Sequence, residues 1–371
     1  MTKETEASAS RGATGGITLD EKGDICECLA AGQERRQSLE GFEDCYVDIV
    51  DYIIRCTHRI WEESGVGLIY SHYKHNVSVW TAEGLSYGRE GVIAGTLQTQ
   101  AAFPDLRLYG DEVIWTGDDQ EGFHTSHRIT WVGHNTGHSK YGPPTGRRIV
   151  RRGIANCFVR KNHIVEEWIA RDEMGLVLQL GFDPHDLARK MARKEAVRSF
   201  EQEPPAAIER VVGQGTPEEM PPLDAAEGFD VEAFVRRSYH EIWNWRLLNN
   251  IDDYYVKNLA CHTAANRELY GRGALRRFIL SLLAAFPDAS MAVDHVYWIG
   301  SEEDGYRVAV RWTLPCTHTG PGIYGEKTGK RIRVMGISHH RVEGAKIVEE
   351  WMIFDEFALL KQLYAPASGT G

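Results

Sequence analysis

The chain writes one passage twice, and that fact constrains its fold more than any other. Ile164-Val165-Glu166-Glu167-Trp168-Ile169-Ala170-Arg171-Asp172-Glu173 returns as Ile347-Val348-Glu349-Glu350-Trp351-Met352-Ile353-Phe354-Asp355-Glu356. The likeness runs upstream without a gap, so that Arg128–Glu173 lies over Arg311–Glu356. Thr136-Gly137, Tyr141-Gly142, Thr145-Gly146 and Gly153-Ile154 recur as Thr319-Gly320, Tyr324-Gly325, Thr328-Gly329 and Gly336-Ile337. Two copies at so long a period do not make a solenoid, whose repeats are short and numerous. They specify two domains of one fold.

The 371 residues leave room for both domains, and 42% hydrophobic with 10% aromatic residues supply cores for them. A formal charge of −11 argues against a nucleic-acid partner. The basic run Arg147–Arg152 alternates like a strand with a solvated face. Seven cysteines, an odd number, show no paired spacing, and Cys26-Glu27-Cys28 is too tight for a zinc knuckle. With no apolar run long enough to span a bilayer and no apolar leader, a reduced cytoplasm is the expected compartment and no membrane partner is expected.

Residues 1–40, rich in Ser, Gly, Glu and Lys, are expected as a flexible tail; 41–200 form the first domain. The Pro-rich acidic stretch 201–228 is a linker, and 229–366 form the second domain. Within each repeat Tyr46, Ile49, Val50, Ile53, Ile54 and Ile60, or Val231, Phe234, Val235, Tyr239 and Ile242, fall at helical steps. A further helix opens at Tyr87-Gly88-Arg89 or Tyr270-Gly271-Arg272 and stops at Phe103-Pro104 or Phe286-Pro287. Alternating strands follow, over 106–115, 123–132, 147–160 and 164–172, and over 289–299, 306–314, 331–342 and 347–355. Helices followed by an antiparallel meander give an α+β layout.

These motifs, in this order and twice over, resemble the SnoaL-like polyketide cyclases (ester cyclases) of the nuclear transport factor 2-like superfamily. The resemblance rests on Thr317-His318-Thr319-Gly320, Pro144-Thr145-Gly146-Arg147-Arg148, Gly153-Ile154, the Ile-Val-Glu-Glu-Trp strand with its Asp, and the tail Gly175–Gly181. It covers most of residues 43–183 and 229–364. It implies two tandem cones, each a curved antiparallel sheet wrapped on N-terminal helices around a deep pocket. It also implies pairing through outer sheet faces, as a homodimer or as a pseudo-dimer within this one chain. The superfamily hosts cyclases, isomerases, dehydratases and pure binding modules, so the fold does not name the reaction.

In a strand, residues two and four apart share a face, which puts Glu166, Trp168 and Asp172 together, and likewise Glu349, Trp351 and Asp355. If Val165, Ile169 and Arg171 pack outward, Trp168 and Trp351 wall the pockets and Asp172 and Asp355 face into them. An aspartate in an apolar cavity is a stronger base than in water, suited to taking a proton beside a carbonyl. The resemblance likewise puts the cyclases' catalytic aspartate on Asp172 and Asp355. The structural reading of the same residues is an N-cap for the following helix. Oxyanion donors are expected at His318, at its counterpart Asn135, and at whichever of His339 and His340 points inward. Tyr73, Trp80, Tyr255, His262 and Trp298 are wall candidates whose alternative is core packing. His72-x-x-His75 and His124-x-x-His127 invite a metal, but a three-residue step along a strand turns side chains to opposite faces, so neither metal nor cofactor is expected.

The expectation is therefore a cofactor-independent acid–base enzyme of the SnoaL-like type, a cyclase, isomerase or lyase. It would act on a carbonyl-containing small molecule by aldol-type cyclisation, isomerisation or elimination. The alternative is a non-catalytic module that binds a small molecule or recruits a partner through the doubled fold.

Overall fold

The computed structural model describes residues 34–194, 217, 219–220 and 228–366. Most of the expected linker, and the tail up to residue 33, lie outside the described residues. Residues 34–40, assigned from composition to the tail, pack onto the first repeat instead. Leu39 is buried, and Arg35 donates to the carbonyls of Leu39, Glu43 and Tyr46.

The first repeat runs α1 (Ile49–Trp61), α2 (Ile69–His72), β1 (Tyr73–Thr81), β2 (Gly84–Tyr87), α3 (Arg89–Ala102) and β3 (Arg107–Asp118). It continues through β4 (Gly122–His134), β5 (Arg148–Arg160), β6 (His163–Arg171), α4 (Glu173–Leu180) and α5 (Pro184–Lys194). The second repeats the order: α6 (Val231–Tyr239), α7 (Ile251–Tyr254), β7 (Tyr255–Thr263), β8 (Arg267–Tyr270) and α8 (Arg272–Ala285). It closes with β9 (Ala292–Ser301), β10 (Gly305–Thr317), β11 (Arg331–Glu343), β12 (Lys346–Phe354) and α9 (Glu356–Tyr364).

Local chemistry explains the element ends. Asp48 caps α1 by accepting from the Asp51 amide at 2.8 Å, and Arg55 holds Asp51 one turn on. Gly88 precedes α3 at φ 91°, a conformation that a side chain would strain. The β3–β4 hairpin turns on Gly117, where a Cβ would meet the Gly122 carbonyl oxygen at 2.0 Å.

Each repeat is a six-stranded curved sheet, ordered β2-β1-β6-β5-β4-β3 and β8-β7-β12-β11-β10-β9, so the class is α+β. Four neighbour pairs per sheet are antiparallel; the meander meets the early hairpin through the parallel pairs β1–β6 and β7–β12. Sequence alternation marked the meander but left those first hairpins unassigned. Their strands are short or half-exposed, and their pairing is long-range.

The two sheets pack by their outer faces. Ile154 and Ala170 meet Ile337 and Ile353, with Trp168 against them. Arg311 lies 3.7 Å over the Trp168 ring, and Arg128 lies 3.8 Å over Trp351. Ser126 bonds His339 Nε2 at 2.7 Å, and His339 Nδ1 meets Glu112 at 2.7 Å.

That packing reverses the expected orientation of the repeated strand. Glu167, Ile169 and Arg171 face the interior of the first cone, while Trp168 and Ala170 face the other sheet. Both faces of β6 are buried, so alternation shows that two faces exist without saying which is inside.

The two interiors differ. In the second cone α8 plugs the space with Leu275, Phe278, Ile279, Leu282 and Leu283, all buried. The matching positions of α3 are Val92, Gly95, Thr96, Thr99 and Gln100. A Cβ built at Gly91 or Gly95 would meet nothing within 4 Å. The first cone is hollow where the second is packed.

Candidate active site

The hollow is a cavity of about 640 Å³. Its sides are α1 (Ile53, Cys56, Ile60), α3 and the inner face of the sheet (His127, Ile129, Trp131, Arg151, Glu167, Arg171). A third part of the wall comes from the other repeat: Ala358, Lys361 and Gln362 of α9.

Glu167 is the central acid. It is 7% exposed, accepts from the Tyr73 hydroxyl at 3.4 Å, and has the Cys157 thiol at 3.9 Å. Burial pushes its pKa up to about 7, against the pull of Arg171 and the Tyr73 hydrogen bond. Burial drives the Tyr73 phenol far up, so it stays protonated and remains a donor. Burial takes His127 down to about 3, so that imidazole is neutral, and its Nε2 has no hydrogen-bond partner. The Cys157 thiol is pushed well up by burial and the Glu167 charge, which disqualifies it as a nucleophile at neutral pH.

The end nearest α4 is ionic. Glu173 accepts from the Tyr141 hydroxyl and from Arg151 Nη1 at 3.1 Å, with Lys140 Nζ at 3.6 Å. Burial acts to raise that carboxyl, but Lys140 and Arg151 hold it well below the usual range. Arg151 stacks 4.8 Å over Trp131. Across the rim Glu83 pairs with Lys361 at 2.6 Å and with Lys140 at 4.0 Å.

Of the residues singled out from sequence, Tyr73 lines this cavity. The aspartates do not. Asp172 Oδ1 accepts from the Gly175 amide at 2.9 Å and the Ala265 amide at 2.7 Å, and Oδ2 from the Asn266 amide at 2.8 Å. It caps α4 and ties that helix to the β7–β8 turn of the other repeat. Asp355 caps α9 through the Ala358 amide at 2.7 Å, and burial followed by the Glu173 charge pushes it up to about 7. The cap reading is the one this geometry supports, because both side chains leave the strand on its outer face.

Asn135 Oδ1 accepts from the Thr145 amide at 2.9 Å, and its Nδ2 donates to the Ala102 and Gly137 carbonyls. His318 Nδ1 accepts from the Thr328 amide at 3.3 Å. The two residues thus do one job, since each offers an acceptor to the same turn. His340 points into the second cone, with Nε2 3.0 Å from the Tyr239 hydroxyl, while His339 lies between the sheets. Tyr255 donates to Glu350 at 3.1 Å, inside the plugged cone.

Trp168 and Trp351 lie under arginines at the sheet–sheet contact rather than on a pocket wall. Trp80 pairs with Trp168 in register and is half-buried. His262 stacks on Trp351 between Glu268 and Glu349, and Trp298 packs partly buried against the second core. Sequence reasoning passed over Glu167 and Lys361, put Arg171 on the outer face of its strand, and weighed His127 only as a metal ligand. The available signal was the second glutamate of each Glu-Glu pair, a charge on the opposite face from the tryptophan.

The SnoaL-like polyketide cyclase family model matches residues 51–180 and again 233–363. No curated relative matches. Among solved structures, a protein assigned to the SnoaL-like polyketide cyclases from Jannaschia sp. CCS1 is 16% identical (TM-score 0.34), covering 41% of this chain and 100% of that one. TsrD from Streptomyces laurentii is 19% identical (TM-score 0.32), over 39% of this chain and 100% of its own. A Catenulispora acidiphila protein with a ketosteroid isomerase-like fold, solved with trimethylamine, is 13% identical (TM-score 0.30), over 37% of this chain and 97% of its own. With the family model met twice and covering well over half its length, the chain belongs to the SnoaL-like polyketide cyclase family as a tandem of two such domains.

Proposed function

We propose that the first cone performs cofactor-independent acid–base chemistry on a carbonyl-containing small molecule, with Glu167 as the base. One observation carries this reading: a cavity carboxyl with no close ion pair, hydrogen-bonded to a phenol and pushed up to about 7 by burial, whereas Glu83 and Glu173 are held by lysines and arginine. Glu167 takes a proton from the carbon beside the carbonyl; the C–H bond breaks and an O–H bond forms on the carboxylate. The enolate oxygen is stabilised by Tyr73, and the enolate then attacks a second carbonyl, is reprotonated elsewhere, or expels a leaving group. Cyclisation, isomerisation and elimination share that first step.

This reading moves the base from Asp172 and Asp355 to Glu167. It makes the second repeat a scaffold whose pocket is filled and whose last helix completes the first. The test is hydrogen–deuterium exchange of the α-protons of 2-tetralone in D2O, followed by NMR with the full chain. The wild type should accelerate exchange, and Glu167→Gln, which keeps the shape, should lose about 10²- to 10⁴-fold of it. Exchange at the buffer rate, or undiminished in Glu167→Gln, would sink the proposal in favour of a binding module.

A further inference from the structure

Arg171 ends β6 with its side chain on the cavity wall. Its Nε is buried without a partner, and the guanidinium makes no hydrogen bond or ion pair among the described residues. The other charges of the cavity are engaged with one another. Glu173 is held by Arg151, Lys140 and Tyr141, and Glu83 by Lys361 and Lys140. Glu173 and Glu167 act on it only through space, and a guanidinium whose buried Nε lacks a hydrogen-bond partner is one that a ligand's acceptor can complete. The matching position of the plugged cone is Phe354, so the cation goes with the hollow and not with the fold.

We infer that Arg171 is the anchor for an anionic group of the ligand, and that the first cone therefore prefers a carboxylate-bearing carbonyl compound over a neutral ester or ketone. The inference rests on the first cavity being the reactive one. A planar carboxylate presents two acceptors to the guanidinium fork, a better match than a point charge. Glu167 holds its proton up to about pH 7, so it does not cancel the cation below that pH. Placed so, the anionic end is fixed against Arg171 while the rest of the molecule fills the apolar space along α1 and α3. A chain of net charge −11 thus encloses a locally cationic hollow.

The test uses 3-hydroxy-2-naphthoate and its methyl ester as fluorescent probes, titrated into the full chain at pH 6, where the naphthoate is ionised and Glu167 is protonated. The acid should bind at least about tenfold tighter than the ester. Arg171→Gln should erase that advantage while leaving the ester's affinity unchanged, and Arg171→Lys should keep part of it. Because the guanidinium makes no hydrogen bond or close ion pair among the described residues, Arg171→Met should still melt cooperatively, so lost binding cannot be ascribed to lost folding. Equal binding of acid and ester, no binding of the acid, or an advantage that survives Arg171→Gln would overturn the assignment. Binding is read without turnover, so the anchor can fail while proton exchange at Glu167 stands, and the reverse.

Discussion

Lys361 Nζ lies 2.6 Å from Glu83 Oε1, and the two belong to different repeats. Glu83 is in the β1–β2 turn of the first cone, and Lys361 is on the last helix of the second, beside Ala358 and Gln362 in the cavity wall. The cavity of one repeat is therefore closed by the other. Glu83 is half-exposed, so the pair itself contributes little, about 1 kcal/mol or less. Lys361→Ala should lower stability by no more than that, yet speed dissociation of a cavity-bound naphthoate in stopped-flow displacement. An unchanged off-rate would show that the helix does not gate the site.

Copying the second repeat's plug into the first should close the hollow. Gly95→Phe with Thr99→Leu reproduces Phe278 and Leu282 on α3, where Gly95 has open space. Binding and exchange should be lost while stability holds or rises, since removing an interior helix glycine alone returns about 1 kcal/mol. Chemical denaturation and probe titration on the same sample decide it. The reverse change, Phe278→Ala, should cost about 3–5 kcal/mol, because that side chain fills a finished core.

Two buried glutamates predict opposite uses of pH. Activity through Glu167 needs the carboxylate, so the exchange rate should rise with pH through about 7 and level off above it. Glu350, wholly buried in the plugged cone, is pushed up by burial to about 8 from an ordinary 4.5. The folded state then binds a proton that the unfolded state releases above about pH 4.5. Its contribution to stability is full below that value and is lost as pH rises towards 8, on the order of several kcal/mol. Glu350→Gln should flatten the stability profile between those limits in urea titrations. A profile as steep as wild type would show that Glu350 ionises freely.

Asp172 offers a direct choice between cap and base. Removing it strands the buried amide of Gly175 and the part-buried amides of Ala265 and Asn266. Asp172→Ala should therefore cost about 2–4 kcal/mol in denaturant unfolding. Deuterium exchange by the protein that stays folded should fall no more than a few-fold. A large loss of exchange with unchanged stability would restore Asp172 as the base.

The sequence by itself determined the duplication, the helix-then-meander order and the turns. The duplication is a direct likeness of two stretches, and the element order and turns rest on signals within a few residues: Gly88 before α3, Pro104 after it, and alternation along β4, β5 and β6. It also marked Asp172 and Asp355 as singular, each fit to serve as a base or as a helix cap. Three things only the tertiary structure decided. The inner face of β6 is the one with Glu167 and Arg171, because a second sheet buries the outer face and removes the contrast that alternation needs. The first cone holds a cavity where α8 packs buried side chains into the second, because Gly95 and Phe278 become meaningful only when α3 and α8 lie across their sheets. And Lys361 meets Glu83 across 278 residues of chain, a distance at which no local pattern carries information.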